Sequence, residues 1–232
     1  MSFFKTVFFF NIERRCNPHQ LTDQIKTRTG VFALCLLSFA FCFLLLACSG
    51  VPETFYYTVS DFNRVRENVN QHQAAPLNFV LGVEKFSAEK LYEDDRIIYR
   101  DSPFEVKYYH YRRWAAAPRA LVTDEILKQL RASSCCREVV SFPSSGPVDY
   151  ILTGRVLAFE EWDRDEKWYG RVALLLQLHE PATRRLLWSD VLQAETPASK
   201  KIPATVVEAI SASLQKCVVD FLAALPAVLA AK

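Results

Sequence analysis

The hydrophobic pattern divides the chain into a leader and a body. Residues 31–47, VFALCLLSFAFCFLLLA, form a run without charge, Gly or Pro. Beyond it, apolar positions alternate or recur at helical spacing. LNFVLGVEKF, residues 77–86, is rich in β-forming residues and bounded by Pro76 and Ser87, which predicts a strand. Two shorter strands are predicted over 96–100 and 105–109, around the turn Asp101-Ser102-Pro103. Leu121, Ile126, Leu127 and Leu130 recur at helical spacing, and Pro118 suits a first turn, so 118–132 is predicted as a helix. REVVSF, residues 137–142, predicts a short strand. Residues 150–162 and 168–178 predict a long hairpin around the charged tip DRDEK, and EPATRR turns the chain into a further strand over 185–194. Val207, Ile210, Leu214, Cys217, Val218, Phe221 and Leu225 fall on one stripe of an amphipathic helix over 204–225. Adjacent strands joined by local hairpins, with two main helices, predict an α+β fold. Both helices would pack on one face of a largely antiparallel sheet spanning residues 76–232.

The leader has its own chemistry. Lys26 and Arg28 stand just before the apolar run. A basic segment followed by an apolar one is the layout of a secretory signal. The run is short for a membrane span, which needs about 20 residues. Leu45-Leu46-Ala47-Cys48 resembles a bacterial lipobox. That resemblance implies a signal peptide over 1–47 and a diacylglycerol on the Cys48 thiol. Cleavage before Cys48 and acylation of the new amino group, for instance by palmitate, would follow. One acyl chain holds a protein marginally, whereas two or more hold it firmly. The competing reading is an uncleaved membrane anchor with an incidental cysteine. Both put the body outside the cytoplasm. Ser49 after the cysteine implies sorting to the outer membrane. Residues 48–75 read as a lipidated tether, with TFYYTV, residues 54–59, as a candidate short strand within it. SFFKTVFFFNIERRCNPHQ, upstream of the signal, reads as an over-long gene model, with the true start at Leu21 or Val31.

Composition and charge narrow the function. The 232 residues suffice for one domain with a core of its own. Of 28 basic and 26 acidic residues, five and two lie within 1–47, so the remainder carries a net charge of −1. A neutral body has no long-range attraction for nucleic acid. With only 6 Gly there is no Gly-rich phosphate loop, and neither a hydrolase elbow nor a metalloprotease helix motif is present. His72, His110 and His179 have no triad partner in sequence and read as structural. EEWDRDEK, residues 160–167, reads as a solvated turn whose charges offset one another. Of seven cysteines, Cys16, Cys35 and Cys42 leave with the signal and Cys48 carries lipid. Cys135, Cys136 and Cys217 remain, an odd set. They leave two readings open: one disulfide, written Cys136–Cys217, or free buried thiols. No His or further Cys stands at metal-ligand spacing, so no metal or other cofactor is expected beyond the covalent lipid.

Several stretches in order carry a family resemblance. They are Arg96-Ile97-Ile98-Tyr99-Arg100, the run from Tyr109 to Trp114 with Ala115 and Pro118, DYILTGRVLAFE from Asp149 to Glu160, and Leu187-Trp188. Together with the lipobox they resemble the ABC-type transport auxiliary lipoproteins, the PqiC-like family. The resemblance implies a non-enzymatic periplasmic lipoprotein on the outer membrane. Its role would be that of an accessory component of an ABC-type MCE system moving lipids or other hydrophobic molecules between the two membranes. The implied partners are an MCE-domain periplasmic protein, the membrane through the acyl chains, and further copies of the chain itself. The alternative is a lipoprotein that itself holds a lipid in a cleft between helix and sheet. Tyr109, Arg113 and Trp114 sit at a strand-to-helix junction. They read either as staples of helix to sheet or as interface anchors, residue types enriched in binding hot spots.

Overall fold

A computed structural model describes residues 52–59 and 77–230, with Leu37 and Gly50 beside them. The predicted signal peptide, Cys48 and most of the tether lie outside the described residues. The chain divides into two units, Met1–Pro52 and Glu53–Lys232. The second holds the fold described below.

Its strands are β1 (Phe55–Tyr57), β2 (Leu77–Glu84), β3 (Ser87–Ala88), β4 (Arg96–Arg100), β5 (Lys107–Trp114), β6 (Cys136–Phe142), β7 (Tyr150–Arg164), β8 (Lys167–His179) and β9 (Leu186–Pro197). Helix α1 (Pro118–Ser133) precedes β6, and α2 (Pro203–Ala230) closes the sequence of elements. β7 and β8 form the predicted hairpin, longer than expected. Their two-residue turn, Asp165-Glu166, has positive φ at both positions, 52° and 58°. That handedness matches the right-handed twist of the flanking strands.

The sheet is mixed, not largely antiparallel as the sequence suggested. Only β4–β5, β7–β8 and β8–β9 pair antiparallel among the described residues. β7 is 15 residues long, and its second edge is shared by three strands in turn. β2 runs parallel to it at Tyr150 to Leu152, β3 at Arg155 and Val156, and β4 at Glu161 and Trp162. β6 returns after α1 parallel to β2, and β1 lies parallel to β5 at the sheet edge. Hairpin cues in sequence report only local, antiparallel pairs. These parallel pairs join segments that are distant in sequence.

Both helices cover one face, as expected, and touch each other. α1 starts with Pro118, whose missing N–H costs nothing in a first turn. It ends at Ser134 in the left-handed conformation. Along α2, Ile210, Leu214, Cys217 and Phe221 are at most 1% exposed, so the predicted stripe is the buried one. The helix runs past Pro226, which faces solvent, and Val228 and Leu229 still pack on the core. Trp188 on β9 meets Phe221 with ring centroids 5.6 Å apart.

At one point α2 sits directly on the sheet. A Cβ built on Gly170 of β8 would overlap the backbone of Ala209 and Ile210. Ser213 locks the same contact, donating its hydroxyl to the Gly170 carbonyl at 2.7 Å. A methyl group there must displace a helix backbone, and overpacking of this kind costs about 1–3 kcal/mol or more. Gly170→Ala is therefore expected to lose about 3 kcal/mol in urea denaturation or to fail to fold. Gly146→Ala, where the added Cβ meets nothing within 4 Å, is expected to stay within about 0.5 kcal/mol of the parent.

Candidate functional site

Two adjacent glutamates define the polar interior of the domain. Glu160 and Glu161 are 2% and 1% exposed. Consecutive strand residues point to opposite faces, so each enters a different environment. Glu160 is paired with Arg171 of β8, and Glu161 with Gly170. Glu161 therefore lies on the helix-covered face.

On the other face, Arg100 donates from Nε to Glu160 at 2.8 Å, and the Tyr92 hydroxyl donates to the same oxygen at 2.6 Å. Arg171 lies 3.8 Å from the second Glu160 oxygen and stacks over the Trp162 ring. Burial, and then the charge of Glu160, push the Tyr92 phenol well above its ordinary range. A buried pair of this kind contributes little net stability, but removing one partner strands the other.

On the helix face, the Tyr109 hydroxyl donates to both Glu161 oxygens, at 3.0 and 3.1 Å. Asp163 lies on the same side of β7, two residues on. Burial pushes the Glu161 carboxyl up to about 8, and the adjacent Asp163 adds to the shift. Asp163 Oδ1 is buried with no hydrogen-bond partner among the described residues. Burial raises Asp163 as well. The solvated turn expected over 160–167 is thus confined to its end. Its first two residues lie inside β7, which runs beyond Trp162.

The candidate anchors take three different positions. Trp114 is fully buried, 4.9 Å from the Phe159 ring, and its backbone N–H donates to the Asp95 carbonyl. Burial of a side chain this size contributes about 3 kcal/mol. Tyr109 is half-buried, against Tyr99 and Glu161. Arg113 is partly exposed and pairs with Asp95 at 2.7 Å. The strand carrying them is irregular. β4 and β5 slip register between Arg96↔Arg113 and Ile98↔Tyr108, so Tyr109 to Arg112 have no partner on β4, while Arg112 pairs with Phe55 of β1.

Cys135, Cys136 and Cys217 are free thiols, and no Cys136–Cys217 disulfide is formed. The Cys136 sulfur lies 3.6 Å from that of Cys135. Cys217 is buried under α2, which pushes its thiol up to about 12. His179 bridges Thr153 and the Arg184 carbonyl at the end of β8, and His110 is exposed beside Tyr111. No group of His, Cys, Asp and Glu suited to a metal occurs among the described residues.

The buried glutamates and their partners were missed in sequence, though parts of the signal were present. Arg100 and Glu160 each close a stretch that carries the family resemblance, and the fold joins them as an ion pair. Nothing local marks Tyr92 as their third member.

The comparisons with known proteins follow this geometry. Residues 57–220 match the family model described as the ABC-type transport auxiliary lipoprotein component. The match covers more than half of the chain, and the chain belongs to this family. A solved Xanthomonas campestris protein of the DUF330 family has the same fold, with TM-score 0.61 and 22% identity over 68% of this chain and 90% of that one. A solved uncharacterized protein follows at TM-score 0.59 and 12% identity, over 75% of this chain and 99% of that one. No curated protein matches the sequence.

Two outcomes test the polar interior. Glu161 binds its proton more tightly in the folded chain than in the unfolded one. The stability this confers is complete below the ordinary glutamate range and is lost as pH rises through about 8. The melting temperature is expected to fall across that window, by up to about 1.4 kcal/mol of stability per pH unit. Glu161→Gln, which removes the titrating group, is expected to flatten the profile. An unchanged slope would show that Glu161 ionises normally. Separately, Arg100→Ala is expected to cost about 3–5 kcal/mol in urea, and adding Glu160→Gln is expected to restore part of it.

Proposed function

We propose that the chain is a periplasmic lipoprotein, anchored through acylated Cys48 on the outer membrane, and a non-enzymatic accessory component of an ABC-type MCE transport system. The observation that carries this reading is the family match over residues 57–220, which spans nearly all of the unit Glu53–Lys232. The domain works architecturally. The acyl chains hold it at a membrane, and its rigid sheet presents surfaces for a periplasm-bridging MCE-domain protein. The cargo is lipid or another hydrophobic molecule, handled by the assembly as a whole.

The packing favours a docking module over a lipid carrier. A cleft for an acyl chain would have to open between helix and sheet. There the α2 stripe is sealed, and at Gly170 the two backbones touch.

The test uses the mature protein extracted from membranes. Its intact mass is expected to equal residues 48–232 plus acyl chains. Cys48→Ala is expected to lose the acyl mass and leave the membrane fraction. Cross-linking on intact cells, followed by capture of the lipidated protein, is expected to recover an MCE-domain protein. An unmodified full-length mass would overturn the lipid anchor, and a lipidated protein with no MCE-domain partner would overturn the transport role.

A further inference from the structure

The sheet ends at a short exposed edge made of β1 and the part of β5 that has no partner on β4. β1 pairs only with β5 among the described residues, with Phe55 opposite Arg112 and Tyr56 opposite Arg113. Phe55 is 51% exposed, Tyr56 64% and Tyr111 45%. Phe104, in the turn between β4 and β5, is more exposed still at 96%, but Phe55, Tyr56 and Tyr111 are grouped on one edge. Arg112 stands among them. It lies over the Tyr109 ring, 5.4 Å from the centroid, and its charge also acts on Glu161.

Chain length says what this edge must be near. Seven residue steps separate Cys48 from Phe55. Fully extended, they span at most about 25 Å. If Cys48 carries the acyl chains, Phe55 stays within about 25 Å of the membrane surface, within reach of the headgroups. Tyrosine and phenylalanine beside an arginine suit that zone, where rings sit at the interface and a guanidinium meets lipid phosphate. The opposite edge of the sheet, β9, has no such tether.

We infer that the β1–β5 edge is a membrane-contacting surface: Phe55, Tyr56 and Tyr111 enter the headgroup layer of the bilayer that holds the lipid anchor, and Arg112 meets its phosphates. This rests on the lipid-anchor reading of Cys48. The contact fixes the orientation of the domain, leaving β9 and the tip of the β7–β8 hairpin free for protein partners.

The experiment uses the full lipidated protein in vesicles of phosphatidylethanolamine and phosphatidylglycerol with brominated acyl chains. Tryptophan is introduced as Tyr56→Trp on this edge and as Val191→Trp on β9, where Val191 is 49% exposed. Emission is read relative to the parent protein, whose 4 Trp supply a common background. Vesicle flotation reports the anchor, and quenching reports the surface. The expected result is flotation of both variants, with roughly twofold quenching of the added Tyr56→Trp signal and none at Val191→Trp. Flotation with no quenching at either position overturns the membrane-contacting edge while leaving the anchor intact, and assigns the edge to a protein partner. Failure to float overturns the anchor reading, and this inference with it.

Discussion

The length of β7 is the constraint on which the domain depends. At about 3.3 Å per residue, its 15 residues reach roughly 50 Å. One edge is occupied throughout by β8, and the other receives β2, β3 and β4 in succession. Each of those strands is too short to organise a sheet alone. Aligned on one long template, they become a continuous surface that two helices can cover. The helix side is then set by Gly170, the place where α2 comes closest to the sheet.

The same strand carries the charges that the interior tolerates. Glu160 and Glu161 leave β7 in opposite directions, and each meets a different solution to burial. Glu160 pairs with Arg100, whose strand reaches it only because β4 runs along the far end of β7. Glu161 has no arginine within ion-pair distance among the described residues; the Tyr109 hydroxyl donates to it, and burial pushes its carboxyl up to about 8. An arginine and a tyrosine partner on one face and a tyrosine hydroxyl on the other satisfy two adjacent buried carboxyl groups.

This arrangement fits an architectural role. Glu160 and Glu161 are engaged by tyrosine and arginine side chains, while Trp114 Nε1, Glu125 Oε2 and Asp163 Oδ1 are buried without a hydrogen-bond partner among the described residues. Facing outward are the sheet edges β1, β6 and β9 and the turn that carries Phe104.

Much of this was legible in sequence. Both helices, the β7–β8 hairpin and the buried stripe of α2 follow from short-range periodicity, because each element's apolar face repeats within one or two turns. The family resemblance was also local, held in stretches such as Arg96 to Arg100 and Asp149 to Glu160. What the sequence did not show is how those stretches meet. The parallel pairings of β2, β3 and β4 with β7 join residues about 60 to 70 positions apart in the chain, and no turn signal records them. The burial of Glu160 and Glu161 was hidden for a related reason, since a carboxylate followed by DRDEK looks solvated until its distant partners are known. Local hydrophobic order determined the elements of this protein. Long-range strand pairing, decided only in the tertiary structure, selected which charges lie inside and which aromatics remain at the edge.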